Sequence, residues 1–215
     1  MRCLWPVRVR QGRFRDERGA AAVEFALLFP LVLVLIFGTM EFALLLRDYI
    51  GVSNAVRDAS RVASAAPRKG TVQGHKGPQP DGGLGQSFAY DASQVLRKTG
   101  TAIPTSTIVD LWVYEANDKG FPGNLSDFSS CPPTSCVRYA WDTVPNPTFE
   151  WRTGTWVPAS INACPNDDDA MSVGVYMKVA HRGLFPALFN TTINVSDSSV
   201  VKFEPLRPGA GSCKP

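Results

Sequence analysis

The chain has 215 residues, a formal net charge of +3 and 44% hydrophobic residues, which suits one modest globular domain plus a membrane segment. Six arginines and two acids lie in residues 1–19. The remainder therefore has 22 − 6 = 16 basic and 19 − 2 = 17 acidic residues, a net charge of −1. A chain so close to neutral lacks the basic face of a nucleic-acid binder, so no nucleic acid is expected as a partner.

A long apolar run extends from Phe25 to Leu46, interrupted near its end by Thr39 and Glu41. As a helix it would be about 33 Å long, enough to cross the core of a bilayer. The arginine-rich segment before it predicts a cytoplasmic N-terminus under the positive-inside rule. A secretory signal peptide would have a shorter apolar core followed by a cleavage site. We therefore expect a permanent single-pass anchor in the cytoplasmic membrane, with the rest of the chain outside.

The helix that contains this run is predicted to extend from Ala20 to Ala66, membrane-spanning to about residue 46. Pro30 is tolerated in a membrane helix with a kink. Beyond residue 46 small apolar residues recur at helical spacing and predict a face that packs on a globular domain. These residues are Val52, Val56, Ala59 and Ala63. Pro67 ends the helix.

Residues 67–86 are rich in Gly and Pro and predict a linker. The linker follows a cytoplasmic basic leader, residues 1–19, and the helix, residues 20–66. Residues 87–215 predict one extracytoplasmic α+β domain with a small antiparallel sheet. Its predicted elements are a helix at Ser87–Lys98, strands at Thr107–Tyr114, Val137–Trp141 and Met171–His181, one or two strands within Thr191–Phe203, and a hairpin at Phe149–Val157 about Thr153-Gly154.

Two features of this domain have two interpretations each. Trp151 and Trp156 could form a ligand platform, but aromatic residues in hairpins usually pack across strands, which we prefer. Asp167–Asp169 could bind calcium, but the EF-hand spacing is missing and a solvated acidic turn is favoured. No nucleophile, metal-protease, phosphate-loop or dinucleotide motif is present. Neither an enzyme activity nor a cofactor or metal is therefore expected, although His181 with scattered Ser and Asp residues could assemble a hydrolytic site.

The cysteines indicate an oxidising compartment. Cys3 lies in the leader, and four cysteines lie beyond the membrane segment, at Cys131, Cys136, Cys164 and Cys213. There is no C-x-x-C metal pattern, so disulfides are preferred to free thiols. Three pairings are possible. We favour Cys131–Cys136, whose members are close in sequence, together with Cys164–Cys213.

The segment from Gly19 to Phe25, GAAAVEF, resembles the cleavage site of type IV prepilins. It is most similar to the TadE/TadF-like minor pilins, or pseudopilins, of the tight-adherence (type IVc-like) pilus. The resemblance continues through residues 55–61 and returns weakly at residues 199–205. It implies that a prepilin peptidase cuts between Gly19 and Ala20. Glu24 then becomes the fifth residue of the mature chain.

The resemblance also implies a structural function, as a minor pilin or assembly component of an adhesive pilus or secretion filament. Its partners would be other pilin subunits, the pilus assembly machinery, the prepilin peptidase and the membrane. Glu24 of one subunit would meet the Ala20 amine of its neighbour. The alternative is an uncleaved, single-pass, membrane-anchored extracytoplasmic binding module, which has no reason to carry the Gly19–Glu24 motif.

Overall fold

The computed structural model describes residues 16–65, 67, 88–98, 107–142, 148–164, 169–184 and 192–205. The chain divides into two compact units, Met1–Ala43 and Leu44–Pro215. Helix α1, Asp16–Ser64, begins earlier than predicted and ends before Pro67 as expected. Most of the predicted linker lies outside the described residues, so the predicted domain boundaries stay predictions.

In the first unit, the described residues 16–43 all belong to α1, and Pro30 lies inside the helix. Most of their large apolar side chains face outward; Phe25 and Leu27, for example, are 66% and 74% exposed. The most apolar 18-residue window has a mean hydropathy of 2.6 and no buried residue. This part of α1 is therefore long and apolar enough to cross a membrane, and no described residue of its own unit buries it.

The second unit is built on a five-stranded antiparallel sheet with the order β3-β2-β1-β4-β5. Its strands are β1 (Ile108–Ala116), β2 (Cys136–Asp142), β3 (Thr148–Thr153), β4 (Ser172–Arg182) and β5 (Thr192–Lys202). A short helix, α2 (Phe88–Lys98), precedes the sheet. The predicted α+β class is confirmed, and β5 is one continuous strand rather than two.

Residues 44–64 of α1 pack on one face of this sheet. The buried stripe consists of small side chains that let the helix approach closely, Val52, Ala55, Val56, Ala59 and Ala63. The Ser60 and Ser199 hydroxyls are 3.0 Å apart, and the Glu204 N–H donates to the Ser64 carbonyl at 3.0 Å. These contacts show that α1 follows β5 in the same direction.

The predicted hairpin at Phe149–Val157 is wrong. β3 pairs with β2 and ends at Thr153. The chain then leaves the sheet through Gly154, because Trp156 inserts into the core, where its ring meets Phe88 edge-on at 5.1 Å. A short 3-10 helix follows at Pro158–Ser160. The free energy gained by burying the Trp156 indole therefore outweighs the local preference of Thr153-Gly154 for a hairpin turn.

The preferred packing role of the two tryptophans is confirmed. Trp156 is 1% exposed. Trp151 lies opposite Tyr139 in the sheet, packs against the core, and donates a hydrogen bond from Nε1 to the Gly154 carbonyl at 2.9 Å. Neither indole is available as a ligand platform.

Two glycines with positive φ allow a clean test of this bend. Gly154 (φ 87°) and Gly120 (φ 84°) share the left-handed conformation, but a Cβ on Gly154 would overlap the Cys136 carbonyl, whereas one on Gly120 would lie 3.7 Å from Val200. Gly120→Ala should cost about 1 kcal/mol of unfolding free energy, from backbone strain. Gly154→Ala should cost at least about 3 kcal/mol, because overpacking is added. Urea unfolding followed by tryptophan fluorescence measures both; equal losses would contradict the assignment.

Candidate functional site

The predicted cleavage segment is helical and exposed. Gly19 and Ala20 lie in the first turns of α1. Among the described residues, a Cβ on Gly19 would meet no atom within 4 Å, and its φ is not positive. Neither space nor backbone conformation therefore requires glycine at this position, although glycine costs a helix about 1 kcal/mol relative to alanine. Within the part of the chain that the structure describes, packing does not supply the reason for Gly19.

Glu24 is also exposed, and within the described residues no hydrogen bond or ion pair reaches its carboxylate. Its neighbours along the helix are apolar, with the Phe25 and Phe29 rings 5.5 Å apart. A carboxylate carried into a bilayer costs up to about 3 kcal/mol at the centre. The residue is therefore placed where a partner from outside the chain could compensate it.

The predicted Cys131–Cys136 disulfide is confirmed, with the two Cα atoms 5.4 Å apart. Cys164 is disulfide-bonded as well. Its predicted partner, Cys213, lies outside the described residues, so that pairing stays a prediction. The closed bond at Cys131–Cys136 agrees with an oxidising, extracytoplasmic compartment.

This disulfide secures a loop, residues 117–135, over the sheet face opposite α1. Trp112 and Tyr176 project from that face, and Phe128 of the loop stacks on Tyr176 with ring centroids 4.4 Å apart and an angle of 11°. Cys136 is fully buried beside them. The loop therefore has a small aromatic core of its own, which stabilises it independently of the helix side.

Polar contacts complete the loop. The Asn117 carboxamide donates to the carbonyls of Gly123 and Leu125 at 2.9 and 2.8 Å, and it accepts from the backbone N–H groups of Lys119 and Phe121 at 2.9 and 3.0 Å. Four backbone groups are satisfied by one side chain, so the loop has a defined shape.

An open cleft of about 770 Å³ lies between this loop and the ends of β1, β4 and β5. Its walls carry charges of both signs, from Glu115, Asp118, Asp169, Lys119 and Lys202. Among the described residues no three His, Cys, Asp or Glu side chains are placed to hold a metal ion. Asp169 lies in an exposed turn, and Asp167 and Asp168 lie outside the described residues. The choice between a calcium site and a solvated acidic turn therefore stays a prediction.

His181 takes part in a contact that sequence reasoning missed. Its Nδ1 lies 2.7 Å from the Asp48 Oδ2, across 133 residues of sequence, and the two side chains are 6% and 18% exposed. The one feature of the sequence that could have indicated this contact is the alternation of β4, which places His181 on the inward face of the strand. The pair joins α1 to the sheet, and this accounts for a buried histidine without the hydrolytic site considered above.

A comparison with protein families bears on the N-terminal helix. Residues 19–61 match the TadE-like protein family. The resemblance predicted from Gly19 to Phe25 is thereby confirmed for this part of α1. No curated protein and no solved structure matches the chain. The TadE-like match ends within α1, so it covers none of the sheet strands.

Tyr114 provides a pH-dependent test of the loop. Burial raises the pKa of its hydroxyl well above the ordinary value, and a hydrogen bond with Ser198 opposes the shift only in part. The hydroxyl donates to the Gly120 carbonyl at 2.9 Å. The folded state disfavours the phenolate, so the neutral Tyr114 side chain contributes to the free energy of unfolding. This contribution is complete below about pH 10, the pKa of tyrosine in the unfolded chain, and it is lost as the pH rises beyond that value.

Tyr114→Phe should therefore cost about 1 kcal/mol at pH 8, because the Gly120 carbonyl loses its partner. Above about pH 10 the variant should lose stability less steeply than the wild type. Urea unfolding at a series of pH values measures both slopes, with Tyr49→Phe, at a half-exposed tyrosine, as the control for the loss of one hydroxyl. Parallel slopes for the wild type and Tyr114→Phe would contradict the burial argument.

Proposed function

We propose that the protein is a minor pilin or pseudopilin of a tight-adherence type pilus or a related secretion filament, processed by a prepilin peptidase. The observation that carries the proposal is the TadE-like match, which begins at Gly19. The position of Gly19 supports the proposal, because no described residue packs where its side chain would be and because it lies at the start of an exposed apolar helix. Peptidase recognition supplies the reason for glycine that the fold does not.

In this mechanism the arginine-rich leader keeps the N-terminus in the cytoplasm, and the apolar part of α1 anchors the precursor. The peptidase removes residues 1–19. The new α-amino group of Ala20 is largely positive near neutral pH, since such groups titrate at about 8. Ala20 and Glu24 are one turn apart in α1, so they occupy the same helix face.

This placement allows Glu24 to be compensated twice. In the membrane its own Ala20 amine is the nearest cation along the helix. In the filament the amine of a neighbouring subunit takes that place, because an unpaired carboxylate in an apolar helix bundle is costly. The exposed apolar surface of α1 exchanges lipid for the helices of other subunits. When the subunit leaves the membrane, the Glu24 carboxylate therefore keeps a cationic partner and the apolar surface of α1 stays out of water.

The large extracytoplasmic domain suits a low-copy role, such as initiation or the tip of the filament, rather than a repeated shaft. Its disulfide-secured loop and two-sided sheet give it a stable shape outside the cell. Other pilins and the assembly machinery are its partners in this proposal. The assignment of a low-copy role rests on analogy with the family.

The cleavage site can be tested with a matched pair of glycines. Gly19 and Gly38 both lie in α1, and at either position an added Cβ would have no atom within 4 Å, so valine at either site leaves the helix intact. Gly19→Val should block processing because the side chain occupies the peptidase subsite, whereas Gly38→Val should be processed normally. Mass spectrometry of the N-terminus in membrane and sheared surface fractions measures this. An intact leader in wild-type protein, found in membranes alone, would favour the uncleaved binding module.

The charge of Glu24 can be tested separately. Glu24→Gln should insert in the membrane and be cleaved normally, but its recovery in sheared filaments should fall at least tenfold, equivalent to about 1.4 kcal/mol per subunit contact. Glu24→Asp keeps the carboxylate and should assemble better than the glutamine variant. Wild-type assembly of Glu24→Gln would show that the pairing with Ala20 is not required.

A further inference from the structure

One end of the second unit differs in character from the rest of its surface. We call it the entry end, and define it by residues 46–50 of α1, residues 182–184 at the end of β4, and residues 192–193 at the start of β5. The Asp48–His181 contact at 2.7 Å joins the helix to β4 there. His181 lies opposite Ile193 in the sheet, so β5 begins at the same level.

The entry end exposes large apolar side chains. Tyr49 and Ile50 are 50% and 51% exposed, Leu184 is 57% exposed and Ile193 is 44% exposed, and Leu46 is 47% exposed at the last position of the apolar run. Two exposed arginines, Arg47 and Arg182, flank them. Half-exposed aliphatic residues, a tyrosine and arginines together are typical of surfaces at a membrane–water interface.

We propose that the entry end rests on the interface of the bilayer that α1 crosses, as a second membrane contact of the protein. The inference rests on the membrane-anchoring part of the proposed function. Asp48 follows Leu46 by two residues, which is about 3 Å along a helix axis. Because His181 binds Asp48, the end of β4 is brought to the point where the apolar run ends. Leu184 and Ile193 therefore meet the headgroup region.

The chemistry of the surface fits this occupant. The Arg47 and Arg182 guanidinium groups can donate to lipid phosphates, while the tyrosine ring and the aliphatic side chains enter the boundary between headgroups and acyl chains. The apolar surface is continuous along the chain with the membrane-spanning run itself, which favours lipid over a second copy of the protein. Filament assembly would then require this contact to be released together with the helix.

Two positions on one strand provide a probe and its control. Ile193 and Val200 are 44% and 40% exposed on β5, and seven residues of strand separate them by about 23 Å. Each is replaced by cysteine in a Cys3→Ser full-length chain and labelled with a nitroxide, without reductant so that the disulfides stay closed. The unlabelled parent serves as the blank. Leu184→Cys gives a second probe at the entry end.

The labelled proteins are placed in phosphatidylcholine–phosphatidylglycerol vesicles, and their collision rates with oxygen and with a water-soluble nickel chelate are measured. At residues 193 and 184 the nickel rate should be several-fold lower than at residue 200, and the oxygen rate higher. Equal nickel rates at residues 193 and 200 in inserted protein would overturn the proposal. Protection that disappears as the protein is diluted in lipid would also overturn it, and would assign the surface to a second copy.

Carbonate extraction of the same vesicles separates this test from the proposed function. Protein released by carbonate would overturn the anchor and the interfacial contact together. Protein that resists extraction while residue 193 stays open to nickel would overturn the interfacial contact alone. Near-UV circular dichroism of each variant, compared with the parent, establishes that the sheet is intact.

Discussion

The contact between small side chains of α1 and one face of the sheet holds the second unit together. Val52, Ala55, Val56, Ala59 and Ala63 are almost completely buried there. Alanine at three of these positions keeps the helix close to the strands, and the buried Ser60 hydroxyl, 3.0 Å from that of Ser199, satisfies a polar group in the contact. Larger residues would force the helix away from the sheet. The other elements take their places against this contact.

The same helix therefore has two kinds of surface. Along residues 25–43 its apolar side chains are exposed in the structure, and along residues 52–63 its small side chains are buried by the chain itself. The first part is long and apolar enough to cross a membrane, whereas the second part is covered by the sheet of its own unit. The family match covers both parts, since it spans residues 19–61. This is consistent with a helix in which an apolar anchoring segment is followed by a segment that packs on a domain.

Much of this could be predicted from periodicity. The membrane run, the apolar spacing after residue 46, helix α2 and the strands with alternating residues were all visible, because each obeys a local rule. The Cys131–Cys136 bond could be predicted for the same reason, since its two members are close in sequence. The Gly19–Glu24 motif indicated the TadE-like resemblance without any structure.

What could not be predicted depends on contacts that are distant in sequence. The strand order places β4 beside β1, and no local pattern encodes that choice. Thr153-Gly154 carries an ordinary hairpin signal, but the turn is decided by Trp156, which packs against Phe88 from another element. The Asp48–His181 contact joins residues 133 positions apart. Such choices belong to tertiary packing, which overrides local propensity.

The loop secured by Cys131–Cys136 has a practical consequence for labelling the protein. Ser129 and Ser130 are exposed and lie between two anchors, the stacked ring of Phe128 and the disulfide. A short epitope or fluorophore-accepting tag inserted between Ser129 and Ser130 would be held by an anchor on each side, so the insertion should not disturb the sheet. The loop is thus a natural insertion point for labelling the folded protein with an antibody or a dye.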